Sequence, residues 1–73
     1  MQVLSDLTIG TTALIGQLNV ASEKQMKLLG LGVNTGVQVS VLRNRGGDMV
    51  LALGNARVSV GRTLSDVIEV SVV

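Results

Sequence analysis

The glycines and carboxylates are the residues of this chain with the most obvious chemical potential, because cysteine and histidine are both absent. Gly30, Gly32 and Gly36 fall within the segment KLLGLGVNTGVQV, residues 27–39. Glycines at such spacing bind phosphate when they follow a strand and precede a helix, where backbone N–H groups converge on the anion. Here the order is reversed, so the negative end of a helix would face the anion. We therefore predict a helix end followed by a turn, not a phosphate loop.

The carboxylates are also poorly placed for catalysis or for metal binding. Five acidic residues are spread along the chain: Asp6, Glu23, Asp48, Asp66 and Glu69. They do not form the dense alternating run of a calcium loop, and without cysteine and histidine there is no thiolate, imidazole base or soft-metal ligand. Asp48 follows Gly46 and Gly47, where an aspartate usually serves turn geometry. We predict no catalytic, cofactor-binding or metal-binding residue, and a protein that is not an enzyme.

The charge pattern argues against nucleic acid as a partner. Six Lys and Arg residues against five Asp and Glu residues give a net charge of +1 without a basic cluster, and no aromatic residue is present to stack on bases. Four arginines could form a patch for an acidic partner, although arginines at outward strand positions are more often simply solvated. They are Arg43, Arg45, Arg57 and Arg62.

Size and composition predict a single domain, residues 1–73, with an aliphatic core. The chain is 47% hydrophobic but lacks Phe, Trp and Tyr, so Val, Leu, Ile, Ala and Met must fill a core that favours strands. Some of these side chains must stay near the surface, which favours a partner or self-association, and the oligomeric state stays open. No secretion signal and no apolar run of about 20 residues is visible, so we expect a cytoplasmic protein that is not embedded in a membrane.

Apolar and β-branched segments predict five strands, of which the second, fourth and fifth alternate with polar residues, the first has an ambiguous inward face and the third is apolar on both faces. A bulge is predicted at Gly16 in the first strand and a tight turn at Gly54 and Asn55 before the fourth. A core-pinned turn at residues 4–7, a polar loop at 43–48 and a short 3₁₀-like turn at 61–66 complete the prediction. The predicted strands are residues 11–18, 37–41, 49–53, 56–60 and 68–72. With one helix between strands 1 and 2, this plan predicts a mostly β fold, a small SH3-like five-stranded barrel, with an OB-type barrel as the nearest alternative.

The helix is predicted over residues 22–31. Ser22 and Gln25 have the spacing of a capping box, and Leu28 and Leu31 share one face. Met26 and Leu29 lie off this face, so they are candidates for exposure.

The end of this helix has two candidate positions. In the favoured one, Gly32 is the left-handed residue just past the helix and Val33 packs back on Leu28. In the alternative, the stop lies at Gly30 and Leu31 packs against Met26.

Segments across nearly the whole chain resemble the FeoA-type family, small cytoplasmic accessory proteins of bacterial ferrous iron uptake with an SH3-like barrel. Gly30 stands where the family usually has an acidic residue, and Ile9, Thr35 and Met49 where it often has proline. The resembling segments are Leu4-Ser5-Asp6-Leu7 with Gly10, Lys27-Leu28-Leu29-Gly30-Leu31-Gly32-Val33 with Gly36, Gly47-Asp48 and Ile68-Glu69-Val70.

The resemblance implies a partner, the cytoplasmic region of the FeoB-type membrane transporter with its GTPase domain, which would hold the protein peripherally at the inner face of the membrane. It also implies a family-level association with transition metals. The alternative implied function is a stand-alone regulatory domain that binds a metal-dependent transcriptional repressor. We expect the partner to be bound by the helix and the turn after it, through Met26, Lys27, Leu29, Leu31 and Asn34.

Overall fold

Six strands and two short helices make up residues 2–73, the part of the chain that the computed structural model describes. A 3₁₀ turn, Leu4–Asp6, follows the first strand, and Leu4 and Leu7 are both buried, as predicted for a turn pinned to the core. The elements are β1 (Gln2–Val3), β2 (Thr12–Leu18), α1 (Ser22–Gly30), β3 (Gln38–Arg45), β4 (Asp48–Leu53), β5 (Ala56–Gly61), α2 (Arg62–Ser65) and β6 (Ile68–Val72).

The strands form one antiparallel sheet in the order β1-β6-β2-β3-β4-β5. The prediction of a mostly β fold is confirmed, but the five-stranded barrel needs correction: there are six strands, and the described sheet ends at β1 and β5 without closing. Helix α1 lies where it was predicted, because β2 and β3 are the predicted strands 1 and 2, whereas the predicted 3₁₀-like turn at 61–66 is a second short helix, α2. The missed strand, β1, pairs Gln2 with Val70 and Val3 with Glu69. Two residues are too short to show an alternating pattern, and only pairing with the distant β6 makes them a strand.

One continuous aliphatic core packs against the sheet, as the composition predicts. The strands β2 to β6 contribute alternate residues to it, and the 3₁₀ turn and α1 add Leu4 and Leu28. Its buried hydrophobic residues are Leu4, Leu7, Ala13, Ile15, Leu28, Val33, Val39, Val41, Met49, Leu51, Val58, Val60, Ile68 and Val70.

The hairpin between β3 and β4 differs from the prediction of a polar loop over residues 43–48. Strand β3 continues to Arg45, and only Gly46 and Gly47 form the turn, with Gly46 at a φ of 63°. The pairing is Val41 with Leu51 but Arg43 with Val50, so one extra residue is inserted in β3. This bulge hid the strand from the sequence pattern, because it breaks the alternation and puts polar residues on both faces.

Two other turn predictions are confirmed. Strands β4 and β5 are joined through Gly54 and Asn55, with Leu53 paired to Ala56. The register of β2 against β6 shifts between Ile15 and Leu18, around Gly16. A Cβ atom at Gly16 would lie 3.0 Å from the carbonyl oxygen of Glu69, so the close approach of the two strands there requires glycine.

Helix α1 begins without the predicted capping box. Ala21 occupies the N-cap position and no side chain caps the helix. The Gln25 side chain does not return to Ser22; its Nε2 donates to the carbonyl oxygens of Leu18 and Val20, each at 3.2 Å. Gln25 therefore ties the helix to the end of β2, a role that the local spacing with Ser22 could not reveal.

The end of α1 confirms the favoured position. Gly32 has a φ of 90°, its N–H donates to Leu29 O at 2.9 Å, and the N–H of Val33 donates to Leu28 O at 2.9 Å. These two bonds define a Schellman motif, and Val33 and Leu28 are both fully buried. Gly30 is the last helical residue, but it has no positive φ and Leu31 follows it as the C-cap, so the left-handed residue is Gly32 and not Gly30.

We expect Gly32→Ala to lower the free energy of unfolding by about 2–3 kcal/mol, measured by urea denaturation. The positive φ costs an L-residue about 1–2 kcal/mol, and the new Cβ would lie 2.6 Å from Leu53 Cδ2, which must move. Gly36→Ala is the matched control, because Gly36 has a φ of 88° but its added Cβ would have no atom within 4 Å. Equal stability of the two variants would show that the contact with Leu53 costs nothing.

Candidate functional site

Three of the predicted contact residues, Met26, Lys27 and Leu29, lie on the exposed side of α1. Leu28 is the one buried residue of this helix, whereas Met26 is 73% exposed and Leu29 is 57% exposed. Both residues therefore lie off the buried face of the helix, as the sequence predicts. Residues three and four apart are neighbours on a helix, so Met26 and Leu29 form a joint apolar surface with Lys27 beside them.

Leu31 does not share the buried face with Leu28, so this part of the helix prediction is wrong. It lies at the C-cap position and is 42% exposed. The helix ends one residue earlier, and the chain reverses at Gly32, so Val33 fills the place against Leu28 instead. Leu31 is therefore a third exposed apolar residue, directly after the end of α1.

Asn34 is exposed in the turn after α1, but its side chain serves that turn. Its Oδ1 accepts a hydrogen bond from the Thr35 N–H at 2.9 Å. The Thr35 hydroxyl in turn donates to Gly16 O at 2.7 Å, so the turn is attached to β2. We name the set Met26, Lys27, Leu29, Leu31 and Asn34 the helix surface.

A second candidate surface lies on the outer side of the sheet, where β3, β4 and β5 adjoin. Arg43 and Arg45 of β3 line a groove of about 350 Å³. The sequence named both arginines as members of a patch but did not indicate the groove. The remaining lining residues, Gly47, Asp48, Val50 and Ser59, come from the turn and from the two strands beyond it. We name this site the arginine groove.

The other two arginines of the predicted patch do not line this groove. Arg57 is exposed on β5, paired with Ala52 of β4. Arg62 is only half-exposed, and its Nη2 donates to Asn44 Oδ1 at 2.8 Å and to Gly46 O at 3.1 Å. The four arginines therefore differ in their surroundings: Arg43 and Arg45 line a groove, Arg57 is exposed outside its lining, and Arg62 is hydrogen-bonded within the protein.

Asn44 is a structural residue that the sequence did not single out. Its Nδ2 donates to Ser5 O at 3.0 Å and to Leu7 O at 2.8 Å. With the bond from Arg62, it connects β3, the 3₁₀ turn and α2. Its position within an apparently polar loop concealed this role.

Residues 2–73 contain neither a helix suited to a bilayer nor a cluster of potential metal ligands. None of the helices in this range has the length and apolar character required to cross a membrane. No three or more of its Asp and Glu side chains come together as a group that could hold a metal ion.

Comparison with known proteins gives a matching family model and several solved structures of similar fold. A family model described as FeoA domain matches residues 2–72. A search of the curated proteins gave no match.

Three solved structures are similar over 99% of this chain. An iron uptake regulatory protein (FeoA) has a TM-score of 0.92 at 20% identity, with 97% of its own chain covered. The iron(II) transport protein A from Clostridium thermocellum has a TM-score of 0.91 at 32% identity, with 46% of its chain covered. The FeoA protein from Chlorobium tepidum has a TM-score of 0.86 at 20% identity, with 70% covered.

Proposed function

Because this chain belongs to the FeoA domain family, we propose that it is a small, non-enzymatic accessory protein of ferrous iron uptake that acts by binding another protein. The name of the Clostridium thermocellum protein, iron(II) transport protein A, supports the link to ferrous iron at 32% identity. The proposed partner is the cytoplasmic region of the FeoB-type transporter, which would place this protein at the inner face of the membrane.

The helix surface is the proposed contact, and the exposure of its apolar side chains is the observation that carries this assignment. Met26, Leu29 and Leu31 are 73%, 57% and 42% exposed within one short stretch of chain. Clustered apolar side chains on a soluble protein commonly mark a site of interaction. Lys27 borders them and favours a partner surface that has acidic groups at its rim.

The size of this cluster predicts a weak complex. Burying what these three side chains leave exposed would contribute roughly 3–5 kcal/mol. Association itself costs several kcal/mol in lost translational and rotational freedom, so little of this gain remains. We therefore expect an affinity low enough that one charged substitution in the cluster reduces binding visibly.

A binding experiment with the cytoplasmic domain of the transporter tests the proposal. Met26→Asp and Leu29→Asp are each expected to weaken binding at least tenfold, about 1.4 kcal/mol, because a carboxylate would be desolvated against apolar partner groups. Isothermal titration calorimetry gives the affinity, and circular dichroism verifies that each variant is folded.

The matched control is Ile9→Asp, which places the same charge at an apolar residue that is also well exposed, at 63%. Ile9 lies before β2 and is not a member of the helix surface. Full binding by both helix variants would remove the helix surface from the proposal. No binding by the unchanged chain would reject the transporter as partner, and binding to a metal-dependent repressor in its place would support the alternative function.

A further inference from the structure

The bulge in β3 decides which of its side chains leave the core. Before it, Val41 faces the core opposite Leu51. After the extra residue, Asn44 lies opposite the buried Met49, so the residues on either side of it face outward. Without the bulge, Arg43 would lie opposite Met49 and would have to enter the core. The bulge thus places Arg43 and Arg45 together on the outer side of the sheet.

Neither of these two arginines donates a side-chain hydrogen bond to another group within residues 2–73. The side-chain hydrogen bonds in this range include none from Arg43 or Arg45. Both line the arginine groove together with Val50 and with Ser59, which lies directly across from Val50 on β5. Two guanidinium groups and a hydroxyl therefore offer donors to this groove, and the Asp48 carboxylate is the one charged acceptor in its lining.

We propose that the arginine groove binds a small phosphoryl oxyanion, a phosphate monoester or pyrophosphate group. The guanidinium fork matches phosphate geometry and forms bidentate, charge-assisted hydrogen bonds. Side chains two residues apart on a strand lie on the same face with Cα atoms about 6–7 Å apart, so both arginines can reach one group between them. A volume of about 350 Å³ accommodates such an anion with a small substituent.

Asp48 decides between phosphoryl and simple carboxylate ligands. Asp48 lies opposite Arg45 in the register of β3 and β4 and lines the same groove. Its carboxylate therefore offsets part of the positive charge of the arginines. A monocarboxylate, with one negative charge and two oxygens, gains little from the remaining charge. A phosphoryl group carries a charge of about −1.5 to −2 at neutral pH and three acceptor oxygens, so it can engage both arginines despite the repulsion from Asp48.

Titration by nuclear magnetic resonance tests this inference. Amide and arginine Nε–H resonances are followed while inorganic phosphate or pyrophosphate is added, with sodium chloride keeping the ionic strength constant. We expect saturable shifts around Gly47, Val50 and Ser59, and little change with acetate. The double variant Arg43→Gln and Arg45→Gln should weaken binding at least tenfold, and Asp48→Asn should strengthen it several-fold, because a like charge is removed.

Arg57→Gln is the matched control, since it removes one positive charge from β5 at a position that does not line the groove. If it weakens binding as much as the single variant Arg43→Gln, only general electrostatic attraction is present and the proposal fails.

A second experiment measures sedimentation of the protein with vesicles of equal parts phosphatidylcholine and phosphatidic acid, with vesicles of phosphatidylcholine alone as the blank.

The two experiments separate the sources of the phosphoryl group. Saturable binding of the free anions that depends on Arg43 and Arg45 supports a soluble ligand. Binding only to the phosphatidic acid vesicles, lost in the double variant, supports the same groove chemistry with a lipid headgroup as the source. Absence of both would overturn the proposal.

Discussion

Replacing Leu28 with alanine is expected to lower the free energy of unfolding by about 2–5 kcal/mol, the range for removing a large aliphatic side chain from a core. Leu28 is fully buried and is the one core residue of α1. A domain of this size has roughly 4–11 kcal/mol of stability in total, so the loss is a large share of it. Urea denaturation followed by circular dichroism measures the effect.

Leu29→Ala provides an unusually close control, because the same substitution is made one residue further along the same helix. Leu29 is 57% exposed, so its truncation should change stability by less than about 0.5 kcal/mol. Hydrogen exchange adds a second measurement: in Leu28→Ala the amides of α1 should exchange faster than those of the sheet, since the helix loses its anchor. Similar losses of stability in both variants would show that α1 is not held through Leu28.

The parts of the fold that the sequence predicts correctly are those that local patterns determine. The turn at Gly54 and Asn55 and the end of α1 at Gly32 follow from residues within a few positions of each other. The errors arise where residues outside the local pattern decide the outcome. Strand β1 exists because β6 pairs with it, and Gln25 bonds back to Leu18 and Val20 in preference to Ser22.

The same distinction applies to the candidate sites. The exposure of Met26 and Leu29 follows from helical periodicity, which is a local property. The arginine groove depends on a bulge and on pairing across three strands, which no spacing within β3 reveals. Only the separation of Arg43 and Arg45 by one residue was available as a signal, and it applies equally to solvated arginines.

The two sites differ in chemistry as well as in position. The helix surface offers apolar side chains beside a lysine, and the arginine groove offers guanidinium donors on the sheet. No residue belongs to both, so substitutions in one are expected to leave the other intact. Each proposal can therefore fail without the other.

Asn44→Ala is the second large loss of stability that we expect, about 2–4 kcal/mol in urea denaturation. The substitution removes two hydrogen bonds donated to Ser5 O and Leu7 O and one accepted from Arg62. A neutral hydrogen bond contributes about 0.5–1.5 kcal/mol and one to a charged group somewhat more, and the partners here are partly shielded from water. Without Asn44, the 3₁₀ turn with Leu4 and α2 with Arg62 lose their polar link to β3.

A double-mutant cycle with Arg62→Ala shows whether these bonds act as one network. If they do, the double variant should be more stable than the sum of the single losses predicts, by about 1 kcal/mol, because the bond between Asn44 and Arg62 is lost only once. Asn19→Ala is the control, since Asn19 is exposed and donates one hydrogen bond to Glu69 at 2.7 Å, so its loss should cost less than about 0.5 kcal/mol. If Asn44→Ala costs no more than this control, the bonds of Asn44 contribute little, and packing of Leu4 and Leu7 alone holds the 3₁₀ turn against the core.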